Sequence, residues 1–86
     1  MFEFDSTKSE SNKLKHGIDF VQAQELWEDA NRVLIAARTI DEKRYLLIAE
    51  YKQSLWSAIF TLRSGTIRII SVRKSRENEK AIYNGF

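Results

Sequence analysis

Three apolar-rich runs in the second half of the chain are separated by almost nothing. Arg44–Tyr51, Leu55–Leu62 and Ile67–Arg73 are joined only by Lys52-Gln53-Ser54 and by a turn at Ser64-Gly65. Links this short suit tight hairpins, so neighbouring runs should pair as antiparallel strands. Leu46-Leu47-Ile48-Ala49 would fit a helix as well as a strand, but the flanking turns and the β-rich neighbour favour the extended state. Upstream, Arg32–Thr39 contains Val33-Leu34-Ile35-Ala36-Ala37, a buried-strand composition, and Ile40-Asp41-Glu42-Lys43 reads as a charged turn.

The first third of the chain reads differently. Phe2-Glu3-Phe4-Asp5 alternates apolar and acidic residues, the pattern of a short strand. Thr7 and Glu10 have capping-box spacing, which predicts a helix from there to about Lys15, with Gly17 supplying the left-handed residue that ends it. Leu14 is the only large apolar residue of that helix, so one of its faces should be free for solvent or a ligand. Asp19 and Gln22 repeat the cap spacing, and Phe20, Ala23, Trp27 and Ala30 form one stripe of a second helix ending near Asp29. At the other end, Ser75 can cap a last helix with Ala81 and Ile82 facing inward and Asn84-Gly85 stopping it. The expected order is β-α-α-β-β-β-β-α. This is an α+β fold, an antiparallel sheet with helices packed on one face, formed by residues 1–86 as a single domain.

Composition removes several functions. The chain has no cysteine and a single histidine, His16, which excludes disulfides, thiolate metal sites and multi-histidine metal cages. Glycine-rich phosphate loops and paired-carboxylate sites are also missing from the sequence, and no cofactor is expected. No apolar run approaches the ~20 residues of a membrane span. The start Met-Phe-Glu-Phe-Asp lacks a signal-peptide pattern, so a cytoplasmic location is expected. The net charge of +2 hides an asymmetry: residues 63–86 carry six Lys/Arg against two Glu, whereas residues 1–62 carry eight against ten acidic residues. A strand and helix presenting several guanidinium groups suit a phosphate-rich partner, which points to nucleic acid.

Two end motifs sharpen this reading. Phe2-Glu3-Phe4-Asp5, Lys8, Asn12, Lys15-His16-Gly17-Ile18 and Phe20 resemble the opening of the BrnT family, and Arg68-Ile69-Ile70-Ser71-Val72-Arg73-Lys74 resembles its closing signature. Ala23, Trp27, Asp29, Arg44, Ile48-Ala49 and Phe60-Thr61 fit between them. Phe4, Val72 and Lys80 depart from the family's usual Trp, Ala and Arg; the last keeps its charge but loses the planar fork. The resemblance implies a RelE-like fold and a small ribonuclease that acts as the toxin of a type II toxin–antitoxin system and stops translation. It also implies a BrnA-type antitoxin with a DNA-binding domain, through which alone the toxin reaches operator DNA.

RNA can be cut without metal when its own 2′-hydroxyl attacks the adjacent phosphorus. The protein then supplies a base, an acid and cations. Histidine is the natural acid or base, and arginine the natural phosphate clamp. The expected catalytic set is His16, Lys15, Arg73 and Arg76, with Arg63, Arg68, Lys74 and Lys80 binding substrate and no metal site. Strand alternation places Arg68 and Arg73 on opposite faces of the sheet. Each cation also has a plain structural reading: His16 and Lys15 can simply sit at a helix C-terminus, and the arginines can solvate a sheet edge. Trp27, Trp56, Phe60, Tyr45 and Tyr51 are expected in the core rather than stacked on bases. The alternative function is a non-catalytic RNA-binding or protein-interaction module using the same basic face.

Overall fold

The structure, a computed structural model, describes residues 1–37 and 41–85. Its elements are β1 (Phe2–Glu3), α1 (Ser6–His16), a 3₁₀ segment (Gln22–Glu28), β2 (Val33–Ala37), β3 (Arg44–Tyr51), β4 (Ser54–Arg63), β5 (Thr66–Lys74) and α2 (Glu77–Asn84). The five strands form one sheet in the order β1-β5-β4-β3-β2. The fold is α+β as expected. Residues 38–40, where the end of the second strand and the start of the charged turn were expected, lie outside the described residues.

Both hairpins form. Lys52 and Gln53 have φ of 50° and 67°, and Ser64 and Gly65 have φ of 51° and 80°. Two consecutive positive φ values give the turn whose twist matches that of the strands it joins. The wholly antiparallel sheet is corrected at its edge, because β1 runs parallel to β5 with Phe2 opposite Ile67. In this direction the chain leaving β1 continues along the free edge of β5, where α1 docks.

The expectation of two N-terminal α-helices is corrected too. The second is a 3₁₀ segment, although its entry box forms as read: Gln22 N–H donates to Asp19 Oδ1 at 2.7 Å and Asp19 N–H to Gln22 Oε1 at 3.0 Å. Phe20, Ala23 and Leu26 are all completely buried. That period of three is the repeat of a 3₁₀ turn, and it overrides the stripe through Trp27 and Ala30. The first helix is capped by Asp5, whose side chain accepts from Lys8 N–H, not by Thr7, and Gly17 ends it with φ of 84°. In α2 the cap position falls to Arg76. Ser75 is buried and shares a 2.8 Å hydrogen bond with Ser57 instead. Ile82 is 42% exposed rather than turned inward.

The core lies on one face of the sheet. Leu47, Ala49, Trp56, Ala58, Phe60, Ile69 and Val72 pack under Ile18, Phe20, Ala23 and Leu26. Trp27 sits edge-on to Phe2 and Phe60, with ring centres 5.0 and 5.2 Å away, and Tyr45 stacks on Phe60 at 5.4 Å. The aromatics are therefore core, as expected. The helices do not share that face. The residue α2 contributes inward, Glu79, meets Ser57, which points away from the core, so α2 covers the opposite side.

One irregularity decides where the arginines point. Phe60 pairs with Ile69 and Ile59 with Ser71, which leaves Ile70 as an extra residue in β5. A bulge of this kind reverses the alternation beyond it. Ile69 and Val72 consequently both face the core, at 2% and 0% exposure. Arg68 pairs with Thr61 and Arg73 with Ser57, both on the opposite face. Arg68 and Arg73 thus share a face, contrary to the strand-alternation expectation.

Candidate active site

The inner surface of α1 is polar. Ser9 and Asn12 are its buried residues. Ser9 Oγ accepts from Phe20 N–H at 2.9 Å. The Asn12 amide donates to Val72 C=O at 2.9 Å and to Ile18 C=O at 2.8 Å, and accepts from Val72 N–H at 3.2 Å. It therefore pairs with β5 as another strand would, and it closes the sheet edge where β1 stops. This explains a helix without an apolar stripe, with Leu14 left 90% exposed. It is held by hydrogen bonds to an edge rather than by burial on a face.

Beside this seam runs a cleft of about 180 Å³, lined by Lys8, Ser11, Asn12, Lys15, His16, Ile70 and Ser71. The α1 members follow one another at helical spacing (8, 11, 12, 15, 16), so they form one stripe, and β5 supplies the far wall at its bulge. Lys8 and Lys15 are exposed, while His16, the last residue of α1, is half-buried. Ser71 belongs both to the cleft and to the sheet face that carries Arg68 and Arg73. At about 3.3 Å per residue, those arginines leave the strand roughly 7–10 Å to either side of it.

Of the residues expected in the site, Lys15 and His16 line the cleft and Arg68 and Arg73 flank it. Both arginines are held by carboxylates. Arg68 Nη1 donates to Glu3 Oε2 at 2.8 Å. Arg73 makes a two-pronged pair with Glu79, Nη1 to Oε1 and Nη2 to Oε2, both at 2.8 Å. Glu79 also accepts from Ser57 Oγ and from Arg76 N–H, each at 2.8 Å. The Arg73 hydrogen bonds are the main force holding the Glu79 carboxyl at a pKa of about 2; burial opposes them, and the Arg76 and Ser57 bonds add to them. Arg73 is raised in turn, chiefly by its hydrogen bonds to Glu79. This pair anchors α2 to the sheet, and it commits two of the five guanidinium N–H groups to Glu79.

The other expected cations are placed elsewhere. Arg63 pairs with Glu42 at 3.2 Å and Lys80 with Glu77 at 3.3 Å. Lys74 lies over Trp56, 5.0 Å from the ring centre, and reaches Ser54 Oγ at 3.1 Å, on the core side of the sheet. The Arg76 side chain is exposed at the start of α2 and has no partner among the described residues. Lys8, Ser11 and Ser71 were missed as site residues. The first two carried a readable signal, since they precede Lys15 by seven and four residues on one helical face. Ser71 carried none, because its position depends on the bulge.

A second, partly exposed polar cluster lies away from the cleft. Asp29 accepts from Glu50 N–H at 2.8 Å, Asn31 N–H at 2.8 Å and Tyr83 Oη–H at 2.7 Å, tying α2 to β3 and the end of the 3₁₀ segment. The bond to Asp29, aided by burial, pushes the Tyr83 phenol up to about 12. Burial raises the Asp29 carboxyl, but these hydrogen bonds together outweigh it and leave the group below its ordinary value. Among the described residues no three His, Cys, Asp or Glu side chains come together as a metal site, and no helix is long and apolar enough to cross a membrane.

Fold and site thus define a small α+β domain with a cation-lined cleft at one edge of its sheet. The model of one protein family, described as the ribonuclease toxin BrnT of type II toxin–antitoxin systems, matches residues 4–79. The chain belongs to this family. No curated protein matches it.

Proposed function

We propose that residues 1–86 act as a single cytoplasmic toxin domain that cuts RNA in the cleft between α1 and β5, without a metal ion, and so stops translation. The observation that carries this reading is the meeting of Lys8, Lys15 and His16 with Ser71, midway along the Arg68–Arg73 face. An RNA backbone lying across β5 would set one phosphate against Lys15 and Lys8, with Arg68 and the remaining donors of Arg73 on the phosphates either side. The substrate's 2′-oxygen bonds to phosphorus and the bond to the 5′-oxygen breaks. The 2′-hydroxyl proton goes to a base, and the departing 5′-oxygen takes a proton from an acid. His16 fills one of these roles, because an imidazole is the one side chain here that ordinarily exchanges protons near neutral pH. Lys15 offsets the charge gathering on the phosphoryl oxygens. Arg76 extends the cationic surface, and Arg63, Lys74 and Lys80 serve structure or distant backbone contacts. The RelE-like architecture and a BrnA-type antitoxin that brings the pair to operator DNA complete the proposal.

The test is digestion of a defined RNA by purified protein with chelator present. His16→Ala is expected to slow cleavage by at least about 10²-fold, and Lys15→Ala by a factor of about ten or more. Cleavage by His16→Ala at the wild-type rate would remove the assignment. RNA that is bound but left intact by the wild type would favour the non-catalytic binding module.

A further inference from the structure

The two arginines that flank Ser71 are held in different ways. Arg68 makes one hydrogen bond to Glu3, whose side chain is 40% exposed. Arg73 is locked. Its Nη1 and Nη2 pair end-on with the two oxygens of Glu79, and Nη1 also donates to Lys74 C=O at 3.3 Å. The carboxylate that grips it is fixed in turn. Glu79 Oε1 accepts from Ser57 Oγ of β4 and from Arg76 N–H at the head of α2. Ser57 has a single hydroxyl proton, which goes to Glu79, so Ser75 must be the donor in the bond between the two serines. A directed chain of hydroxyls thus ends on Glu79. What remains of Arg73 is its Nε–H and the second N–H of Nη2, neither with a partner among the described residues. These two lie side by side on one edge of the guanidinium plane. They form a second fork, matched to two oxygens of a phosphate.

We infer that Glu79 is a positioning residue for RNA: by occupying the end-on fork of Arg73 it leaves the side fork, Nε–H and Nη2–H, to grip a phosphate beside the scissile one. This rests on the reading that RNA lies across β5. Holding α2 in place does not require the pair, because Tyr83 and Asp29 tie the far end of the helix to β3. A buried ion pair is also no better an anchor than apolar side chains of similar size. What the pair adds is orientation. A long side chain that is already fixed gives up little freedom when it takes hold of a ligand.

The experiment follows the side-chain N–H signals of Arg73 by NMR while a short RNA with methylated 2′-hydroxyls is added to the intact chain. The Nε–H signal should shift, and the Nη–H signals should stay resolved, because the Glu79 pair survives binding. In parallel, fluorescence anisotropy gives the RNA affinity of Glu79→Gln and Glu3→Gln at a temperature where circular dichroism shows both folded. Each variant removes one negative charge beside an arginine of this face, so charge alone predicts tighter binding by both. Glu3→Gln should bind at least as tightly as the wild type. Glu79→Gln should bind about tenfold more weakly, the loss of a charge-assisted fork. In cleavage the same loss should appear in KM, with kcat within about twofold, since a neighbouring phosphate is gripped alike in ground and transition states. Glu79→Gln that binds RNA as well as the wild type or better makes the carboxylate a competitor of RNA and overturns the inference. A fall in kcat at unchanged KM overturns it too, as does an Arg73 Nε–H signal that stays still while Lys15 and His16 respond. If Glu79→Gln does not fold, the Arg73 signals of the wild type decide. RNA that leaves Lys15 and His16 unmoved as well overturns the RNA site itself along with it.

Discussion

Glu79→Gln isolates the pair that fixes α2 and Arg73. In the wild type both carboxylate oxygens of a nearly buried side chain, 5% exposed, are engaged by Arg73, and one of them also by Ser57 and Arg76. The folded pKa of about 2 lies below the ordinary value of 4.5. A group depressed on folding contributes its full stability above its unfolded pKa and loses it as pH falls toward the folded one. The gap corresponds to about 3 kcal/mol, present at pH 7 and removed progressively between about pH 5 and pH 2. Removing one partner of a buried pair leaves the other charge uncompensated, and Arg73 is partly exposed, so about 2–3 kcal/mol is the expected loss. An 86-residue domain holds only about 4–13 kcal/mol in total. The melting temperature should therefore fall by roughly 10–20 °C. Urea titrations followed by tryptophan fluorescence, run at pH 7 and near pH 2.5, measure the wild-type-minus-variant difference directly. It should be near 2–3 kcal/mol at pH 7 and shrink toward zero in acid. A difference below about 0.5 kcal/mol at pH 7, or one that persists undiminished in acid, would refute the reasoning.

Three further outcomes follow from the same geometry. Asn12→Ala removes two hydrogen bonds from the β5 edge and a third to Ile18 C=O, and should cost about 2–4 kcal/mol, with the Val72 amide losing its exchange protection. In an alkaline spectrophotometric titration Tyr83 should ionise near 12, and Tyr83→Phe should delete that step. Because its pKa is raised on folding, the Tyr83–Asp29 bond stabilises the fold below pH 10 and loses its effect as pH climbs toward 12; Tyr83→Phe should cost about 1 kcal/mol at pH 7. Lys52→Asn combined with Gln53→Gly places residues suited to positive φ in the β3–β4 turn and should raise stability by about 1 kcal/mol in a urea titration.

Legibility in the sequence tracked how local each feature is. Strands β3, β4 and β5 and their turns were readable because alternation and turn chemistry are set by adjacent residues. The 3₁₀ segment was misread as an α-helix, since Phe20, Ala23, Trp27 and Ala30 fit one period while burial selects Phe20, Ala23 and Leu26 at another. The parallel placement of β1 and the seat of α1 were hidden, because Asn12 reaches Val72 across sixty positions and a single amide leaves no periodic trace. The shared face of Arg68 and Arg73 was hidden for a related reason. The bulge at Ile70 has no glycine or proline beside it to mark it, and only pairing with β4 shows which residue is extra. Lys15 and His16 could be found from sequence; the Ser71 wall opposite them could not.

The central claim is that the ribose-phosphate chain lies in the α1–β5 cleft. Titrating isotope-labelled protein with a short RNA whose 2′-hydroxyls are methylated, so that it binds without being cut, locates the contact by NMR. The account predicts the largest shifts at Lys8, Lys15, His16 and Ser71, smaller ones at Arg68 and Arg73, and little change along β2. Shifts that leave α1 and the β5 bulge untouched and gather elsewhere on the sheet would contradict it.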